Sequence, residues 1–256
     1  KDLPKPGVEW ANPFGHPVWT ESEVQAIEKT HQEVNGFTDK AALAGVKLCR
    51  WLFDTLSGYR FGGLTEAKVI NRCIFLETVA GVPGFTAAII RHLSSLRTMR
   101  RDNGWIHTLL EEAENERMHL LTFIQLRDPG PFFRFAVMVT QGIFMNGFFF
   151  TYLVYPKICH RFVGYLEEEA VKTYTDVVNA IEDGHELAHW KTTQPPEIAK
   201  SYWRLAPDAT MRDMFLAIRA DEANHRDVNH TFATVGKYEK NPFLHDPKGT
   251  FLKEKK

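Results

Sequence analysis

Asn115-Glu116-Arg117-Met118-His119 and Asp221-Glu222-Ala223-Asn224-His225 are the two stretches that decide the fold. Each contains Glu-x-x-His. On a helix, positions i and i+3 lie on one face, so each stretch can offer a carboxylate and an imidazole to the same point. Leu109, Ala113, Leu120 and Phe123 form an apolar stripe with Glu116 in its middle, and Phe215 and Ile218 lead into Glu222, His225 and Asn229 on another. A carboxylate on a buried stripe is costly unless it is paired or binds a metal.

Two further carboxylates lie on apolar helices. Glu77 sits in Cys73-Ile-Phe-Leu-Glu77-Thr-Val-Ala80, and Glu167 opens Leu166-Glu-Glu-Glu-Ala170, on a stripe with Val163, Ala170 and Tyr174. The chain order is thus a lone Glu followed by Glu-x-x-His, given twice: Glu77, Glu116 with His119, Glu167, Glu222 with His225. Ferritin-like carboxylate bundles hold two metals with this ligand set. Four carboxylates and two imidazoles suit two iron ions with open positions for oxygen chemistry. One Glu-x-x-His recurs by chance, whereas four coincidental buried carboxylates would need four separate partners. Spacing alone does not separate Glu167 from Glu168 and Glu169. Glu111, Glu112 and Glu114, with Glu168 and Glu169, read as solvated faces, and His92, His107 and His160 as packing or hydrogen-bonding histidines.

The surrounding pattern is helical, without strand alternation. Six long helices are expected, over about 39–56, 65–96, 102–126, 131–155, 157–183 and 208–235, with Pro83 bending the second. The fold class is all-α: a ferritin-like four-helix bundle with a di-iron carboxylate site, plus two further long helices forming an apolar, membrane-facing surface. The expected organisation is an irregular N-terminal arm (1–37) with a short helix near Ser22–Glu33, one six-helix domain (38–236) with a polar loop at Gly184–Pro207, and a loosely ordered polar tail (237–256).

Across 256 residues, 31 Lys+Arg stand against 32 Asp+Glu, so bulk positive charge offers no basis for nucleic-acid binding. With 44% hydrophobic residues, whole-chain disorder is excluded, and 17 Gly and 13 Pro exclude collagen-like and low-complexity classes. Cys49, Cys73 and Cys159 form no disulfide framework or metal knuckle, which suits a reducing compartment. Neither a secretory signal nor an Arg-rich transit peptide is seen from Lys1 onward.

Phe135–Pro156 carries no charge over 22 residues, enough to span a bilayer by length. The ligand set argues against a span. Glu116 lies ten residues before the end of its helix and Glu167 about ten after the start of the next but one. Each leg is about 15 Å, and the intervening helix of about 37 Å returns the chain to nearly the same level. Were it to cross the hydrocarbon, the two carboxylates would stand on opposite sides. Its outer face, with Leu48, Trp51, Leu52 and Leu56 of the first helix and Arg50 and Arg60 beside them, suggests attachment to one leaflet.

His185-Glu186-Leu187-Ala188-His189 fits the zinc-peptidase pattern H-E-x-x-H. That chemistry needs a helix and a third ligand. Gly184 precedes it, Pro195–Pro196 follow, and no Gly-then-His extension appears downstream, so it reads as a chance match.

Leu76-Glu77-Thr78-Val79-Ala80, Asn115–His119, Leu166–Ala170 and Arg219-Ala-Asp-Glu222-Ala-Asn-His225 resemble the signature segments of the alternative oxidases, the cyanide-insensitive ubiquinol oxidases of mitochondria. The likeness runs from about Cys49 to Phe232. It implies a non-haem di-iron quinol:O2 oxidoreductase that passes electrons from ubiquinol to O2, forming water without pumping protons. It implies Glu77, Glu116, His119, Glu167, Glu222 and His225 as ligands of two irons, hydroxo-bridged when oxidised, with Tyr174 as redox partner. The implied quinol pocket falls on Arg50, Asp54, Arg72, Cys73, Leu76, Glu169, Ala170 and Thr173, and the supporting hydrogen-bond residues on Asn115, His160, Tyr202, Trp203 and Asp221. It further implies a homodimer, monotopic on the matrix side of the mitochondrial inner membrane. The regulatory cysteine of the plant members has no counterpart before Cys49, and the insertion of the plastid relatives is not evident. The rival readings are another quinone-active di-iron oxidase or hydroxylase, including a plastid terminal oxidase type, and more distantly the zinc peptidase through His185 and His189.

Overall fold

The computed structural model describes residues 16–184 and 186–253. Among the described residues nine α-helices follow in order: α1 (Glu21–Gln25), α2 (Gly36–Leu56), α3 (Glu66–Thr98), α4 (Trp105–Leu126), α5 (Pro131–Val154), α6 (Pro156–Glu182), α7 (Glu197–Trp203), α8 (Met211–Thr234) and α9 (Thr250–Lys253). Short 3-10 turns occupy Ala188–Lys191 and Pro242–Leu244. Among the described residues there is no strand.

The local chemistry sets the helix ends. The Thr65 hydroxyl accepts from Lys68 N–H at the start of α3, and the Asp213 carboxylate accepts from Thr210 N–H at the start of α8. Pro131 and Pro156 stand at the first positions of α5 and α6, where a missing N–H costs nothing. Met99 (φ 50°) closes α3 in the left-handed conformation.

α3 packs along α4 and α6 along α8, and α3–α6 and α4–α8 contacts close these pairs into a four-helix bundle. α2 lies on α6, and α5 lies on α3 and α6. At Gly84 the α3–α4 approach is so close that a Cβ would stand 2.5 Å from the Leu109 carbonyl oxygen and 3.0 Å from the Ala113 Cβ. α3 runs as one helix through Pro83.

Two apolar cores fill the bundle. One gathers Ile74, Tyr174, Ile181, Phe215 and Ile218; the other gathers Leu109, Tyr152, Val163 and Phe232. On each of α3, α4, α6 and α8 the stretch between the two cores carries the buried polar residues: Glu77, Glu116 and His119, Glu167, and Glu222 and His225. The site is therefore a polar layer sandwiched in an apolar bundle.

The six expected long helices are present, with ends shifted by up to three residues. Four expectations need correction. The polar loop at Gly184–Pro207 contains a 3-10 turn and α7, because Trp190 and Trp203 are buried in the core. The tail is not loose throughout: Phe243 is buried, and the Asn241 amide donates to Gly104 O and Thr108 Oγ1. The short helix of the arm is Glu21–Gln25, earlier and shorter than expected, and α2 begins at Gly36 rather than Asp39. Residues 1–15 of the arm and 254–256 of the tail lie outside the described residues.

Two helices, α3 and α5, are long and apolar enough to cross a membrane. Half of α3's apolar window is buried in the bundle, against 11% of α5's. α5 exposes Phe135, Met138, Ile143 and Phe150, and α2 exposes Leu48, Trp51, Leu52 and Leu56.

Candidate metal centre

Two quartets of ligand atoms converge in the polar layer. One comprises Glu77, Glu116, His119 and Glu222; the other Glu116, Glu167, Glu222 and His225; within each, the atoms lie within 4.8 Å of one another. Glu116 and Glu222 belong to both. The two quartets therefore overlap at the carboxylates of the two Glu-x-x-His segments, with Glu77 and His119 completing one and Glu167 and His225 the other. Because Glu116 of α4 and Glu167 of α6 share a quartet, α5 runs beside the bundle and returns the chain to the same level.

The donors fit a metal. Glu77 Oε2, both carboxylate oxygens of Glu116, Glu222 Oε2, His119 Nδ1 and His225 Nδ1 are buried without a hydrogen-bond partner, and buried polar atoms are rarely left so. Close approaches hold them together instead: His225 Nδ1 to Glu116 Oε1 at 2.7 Å, and His119 Nδ1 to Glu222 Oε1 at 3.3 Å and Glu77 Oε2 at 3.4 Å. Burial, then the neighbouring carboxylates Glu116 and Glu222, push the Glu77 carboxyl well above the usual range, and burial with the same pair does so for Glu167. Burial opposes ionisation of Glu116 too, but the close His119 and His225 imidazoles outweigh it and hold Glu116 well below that range. Carboxylates this crowded call for compensating positive charge, which divalent cations supply.

Asp221 orients His119. It accepts from Trp19 Nε1 (2.6 Å), Trp203 Nε1 (2.7 Å), Asn115 Nδ2 (3.0 Å) and His119 Nε2 (3.2 Å). With the proton of His119 held on Nε2, the Nδ1 lone pair faces the carboxylates, the arrangement that fixes metal-bound histidines. Burial opposes ionisation, but His119, with Trp19 and Trp203, outweighs it and keeps the Asp221 carboxyl below its ordinary value. Tyr202 contributes indirectly, its hydroxyl accepting from Asn115 Nδ2 at 3.0 Å. On the other flank, the Tyr174 hydroxyl donates to Glu77 Oε1. Burial and the nearby Cys73 and Glu77 raise that phenol well above its ordinary value, so it stays protonated.

The alternative oxidase family model matches residues 19–234. The chain belongs to the alternative oxidase family. It is 55% identical over 219 residues to the mitochondrial alternative oxidase of Trypanosoma brucei brucei, covering 86% of this chain and 66% of that one. It is 48% identical over 254 residues to the Emericella nidulans mitochondrial alternative oxidase (94% and 71% covered), and 50% identical over 240 residues to that of Aspergillus niger (89% and 68%). The chain thus spans about two thirds of the length of these relatives. An alternative oxidase, rather than a peptidase, is what the polar layer then serves. His185 lies outside the described residues, and His189 sits half-exposed on a 3-10 turn, its Nε2 2.9 Å from Glu66.

The residues expected to line the quinol pocket of this alternative oxidase gather where α2 and α3 face α6. Arg50 Nη1 reaches Glu169 Oε2 at 2.6 Å and Thr173 Oγ1 at 3.2 Å, while Arg50 Nε stands 3.3 Å from Asp54 Oδ2. Arg72 donates to the other oxygen of Asp54 and lies over the Tyr59 ring, 4.2 Å from its centroid. Cys73 is buried against Tyr174 in the same core, and Leu76 and Ala170 are half-buried. His160 hydrogen-bonds none of the six quartet residues and reaches them only through Asn229, whose amide donates to His225 O. It bonds Asn229 Oδ1 and the Tyr152 hydroxyl, each at 3.0 Å, and burial lowers its pKa to about 4.

The solvated reading of several acids is corrected. Glu112 is buried and receives the Asn229 amide at 2.9 and 3.0 Å, and burial pushes its carboxyl up to about 7. Its place four residues before Glu116, on the same helix face, was the available signal. Glu168 is largely covered by His31 (2.6 Å) and His230 (2.8 Å). Trp19, which donates to Asp221 from 202 residues away, carries no signal in the irregular sequence around it.

Proposed function

We propose that this chain is a ubiquinol oxidase. It takes electrons from ubiquinol at a di-iron centre and reduces O2 to water without pumping protons. The overlapping quartets that share Glu116 and Glu222 carry this reading, together with membership of the alternative oxidase family. Glu77 and His119 would hold one iron, Glu167 and His225 the other, with Glu116 and Glu222 between them. When bound, two irons supply the redox capacity and open coordination positions that four-electron reduction of O2 requires.

The protein's own residues do the rest. Arg50 and Arg72 are placed to donate to quinol oxygens, and Glu169 and Asp54 to accept from quinol hydroxyls. Apolar Leu76 and Ala170 flank the ring position. Tyr174 stays protonated, and its hydroxyl, donating to Glu77 Oε1, places the phenol directly beside the proposed centre. The apolar cores on either side of the polar layer exclude bulk water, which strengthens every charge interaction within it.

The exposed apolar faces of α2 and α5 support attachment to one leaflet, from which a hydrophobic quinol reaches the α2–α3–α6 flank. The relatives are named mitochondrial, and we place this chain on the matrix side of the inner membrane as a homodimer. Quinol-dependent O2 uptake in the presence of cyanide tests the reading. Uptake that persists is expected; none from iron-loaded protein would contradict it.

A further inference from the structure

A feature outside the quinol flank has no role in the scheme above. On the opposite side of the bundle, between α4 and α8, lies a small space of about 20 Å³ bounded inside by Glu112, Asn115, Asp221 and His225. His16, Glu111 and Phe243 wall it outward, and the same three residues also wall an outer cleft of about 410 Å³. That cleft is edged by His107, His245, Asp246 and Lys248, a polar rim unlike the apolar faces of α2 and α5. The inner space is large enough for one water, and its walls are polar enough to hold one. Glu111 stands in the shared wall with Oε1 buried and unpartnered, an acceptor that a passing water would satisfy. The His16 ring, stacked on Tyr202 at 3.8 Å between centroids, forms the other side of the neck.

We propose that this neck, with Glu111 as its polar lip, is the outlet through which product water leaves the metal centre. The proposal rests on the oxidase reading. Two quinols deliver four electrons and four protons to one O2, the O–O bond breaks, four O–H bonds form, and two waters must leave for each O2 consumed. The quinol flank opens toward lipid, where a water must shed its hydrogen bonds at a cost of several kcal/mol. The α4–α8 flank offers hydrogen-bonding groups from the ligand shell to the surface. Burial raises the Glu111 carboxyl to about 7, consistent with an oxygen that lacks a fixed donor.

The test uses iron-loaded, detergent-extracted protein in a Cys49→Ser background, because Cys49 is exposed while Cys73 and Cys159 are buried. Glu111→Cys is treated with a charged methanethiosulfonate, labelling is read by mass, and kcat and the KM for quinol are measured before and after. The outlet requires that the thiol react and that labelling lower kcat at least about tenfold with KM unchanged. Asn224→Cys, on α8 beside the inner space, should label more slowly with the same kcat loss. Three results overturn the outlet: no labelling of either folded variant, labelling without loss of kcat, or a rise in KM in place of a fall in kcat. The Cys49→Ser parent assayed alongside separates the two readings, since absence of uptake there contradicts the oxidase reading as well.

Discussion

Asp221 shows how much of the site depends on a residue outside the two quartets. It accepts four hydrogen bonds in the buried layer and presents the free nitrogen of His119 to the carboxylates. In Asp221→Asn, one amide nitrogen must face a donor, so at least one buried N–H loses its partner, at about 1–3 kcal/mol, and His119 is free to turn. Iron affinity should fall about 10–100-fold, read by competition with a chelator; retention equal to the parent would show that the orientation is unimportant. His160 gives a pH signature of its own. Its ordinary pKa is 6.5 and burial lowers it to about 4 in the folded protein. The unfolded chain therefore binds the extra proton between those values, so stability is full above about 6.5 and declines as pH falls toward 4. The loss approaches about 3 kcal/mol. Denaturant midpoints at pH 7 and pH 5 should differ less in His160→Gln than in the parent; an unchanged difference would remove His160 as the cause.

The α3–α4 pair depends on a missing side chain. Gly84 lies two turns beyond Glu77, and Glu116 and His119 stand on the facing helix. Gly84→Ala would force its Cβ into the Leu109 carbonyl, at about 1–3 kcal/mol, and pry α3 from α4. Melting temperature and iron affinity should fall together, whereas Gly142→Ala, with open space at its Cβ, should lower neither; an unchanged Gly84→Ala would contradict the backbone-to-backbone packing. The long helices and the six residues that converge in the two quartets were legible in the sequence, because each helix repeats one spacing over several turns and the six residues interrupt otherwise apolar stripes. α7 and the 3-10 turns were not. They are too short for periodicity, and what holds them is burial of Trp190, Trp203 and Phe243 against distant helices. Glu112 was misread for a related reason: its partner Asn229 lies 117 residues away. Trp19 reaches Asp221 across a still longer separation.

At the scale of the whole molecule, four helices converge on one polar layer while two others turn apolar faces outward. The charge balance of 31 Lys+Arg and 32 Asp+Glu gives no hint of this, because most of the charge lies away from the α5 face. The mean hydropathy of −0.29 hides it as well, averaging polar segments with the uncharged stretch Phe135–Pro156. The architecture bears on stoichiometry: two quartets that share Glu116 and Glu222 offer places for a pair of metal ions rather than for one. Iron content per chain, measured on membrane-extracted protein after removal of loosely held metal, tests that most directly. The shared-carboxylate centre predicts about two irons per chain. One iron or fewer per folded chain, or a single zinc in their place, would contradict it.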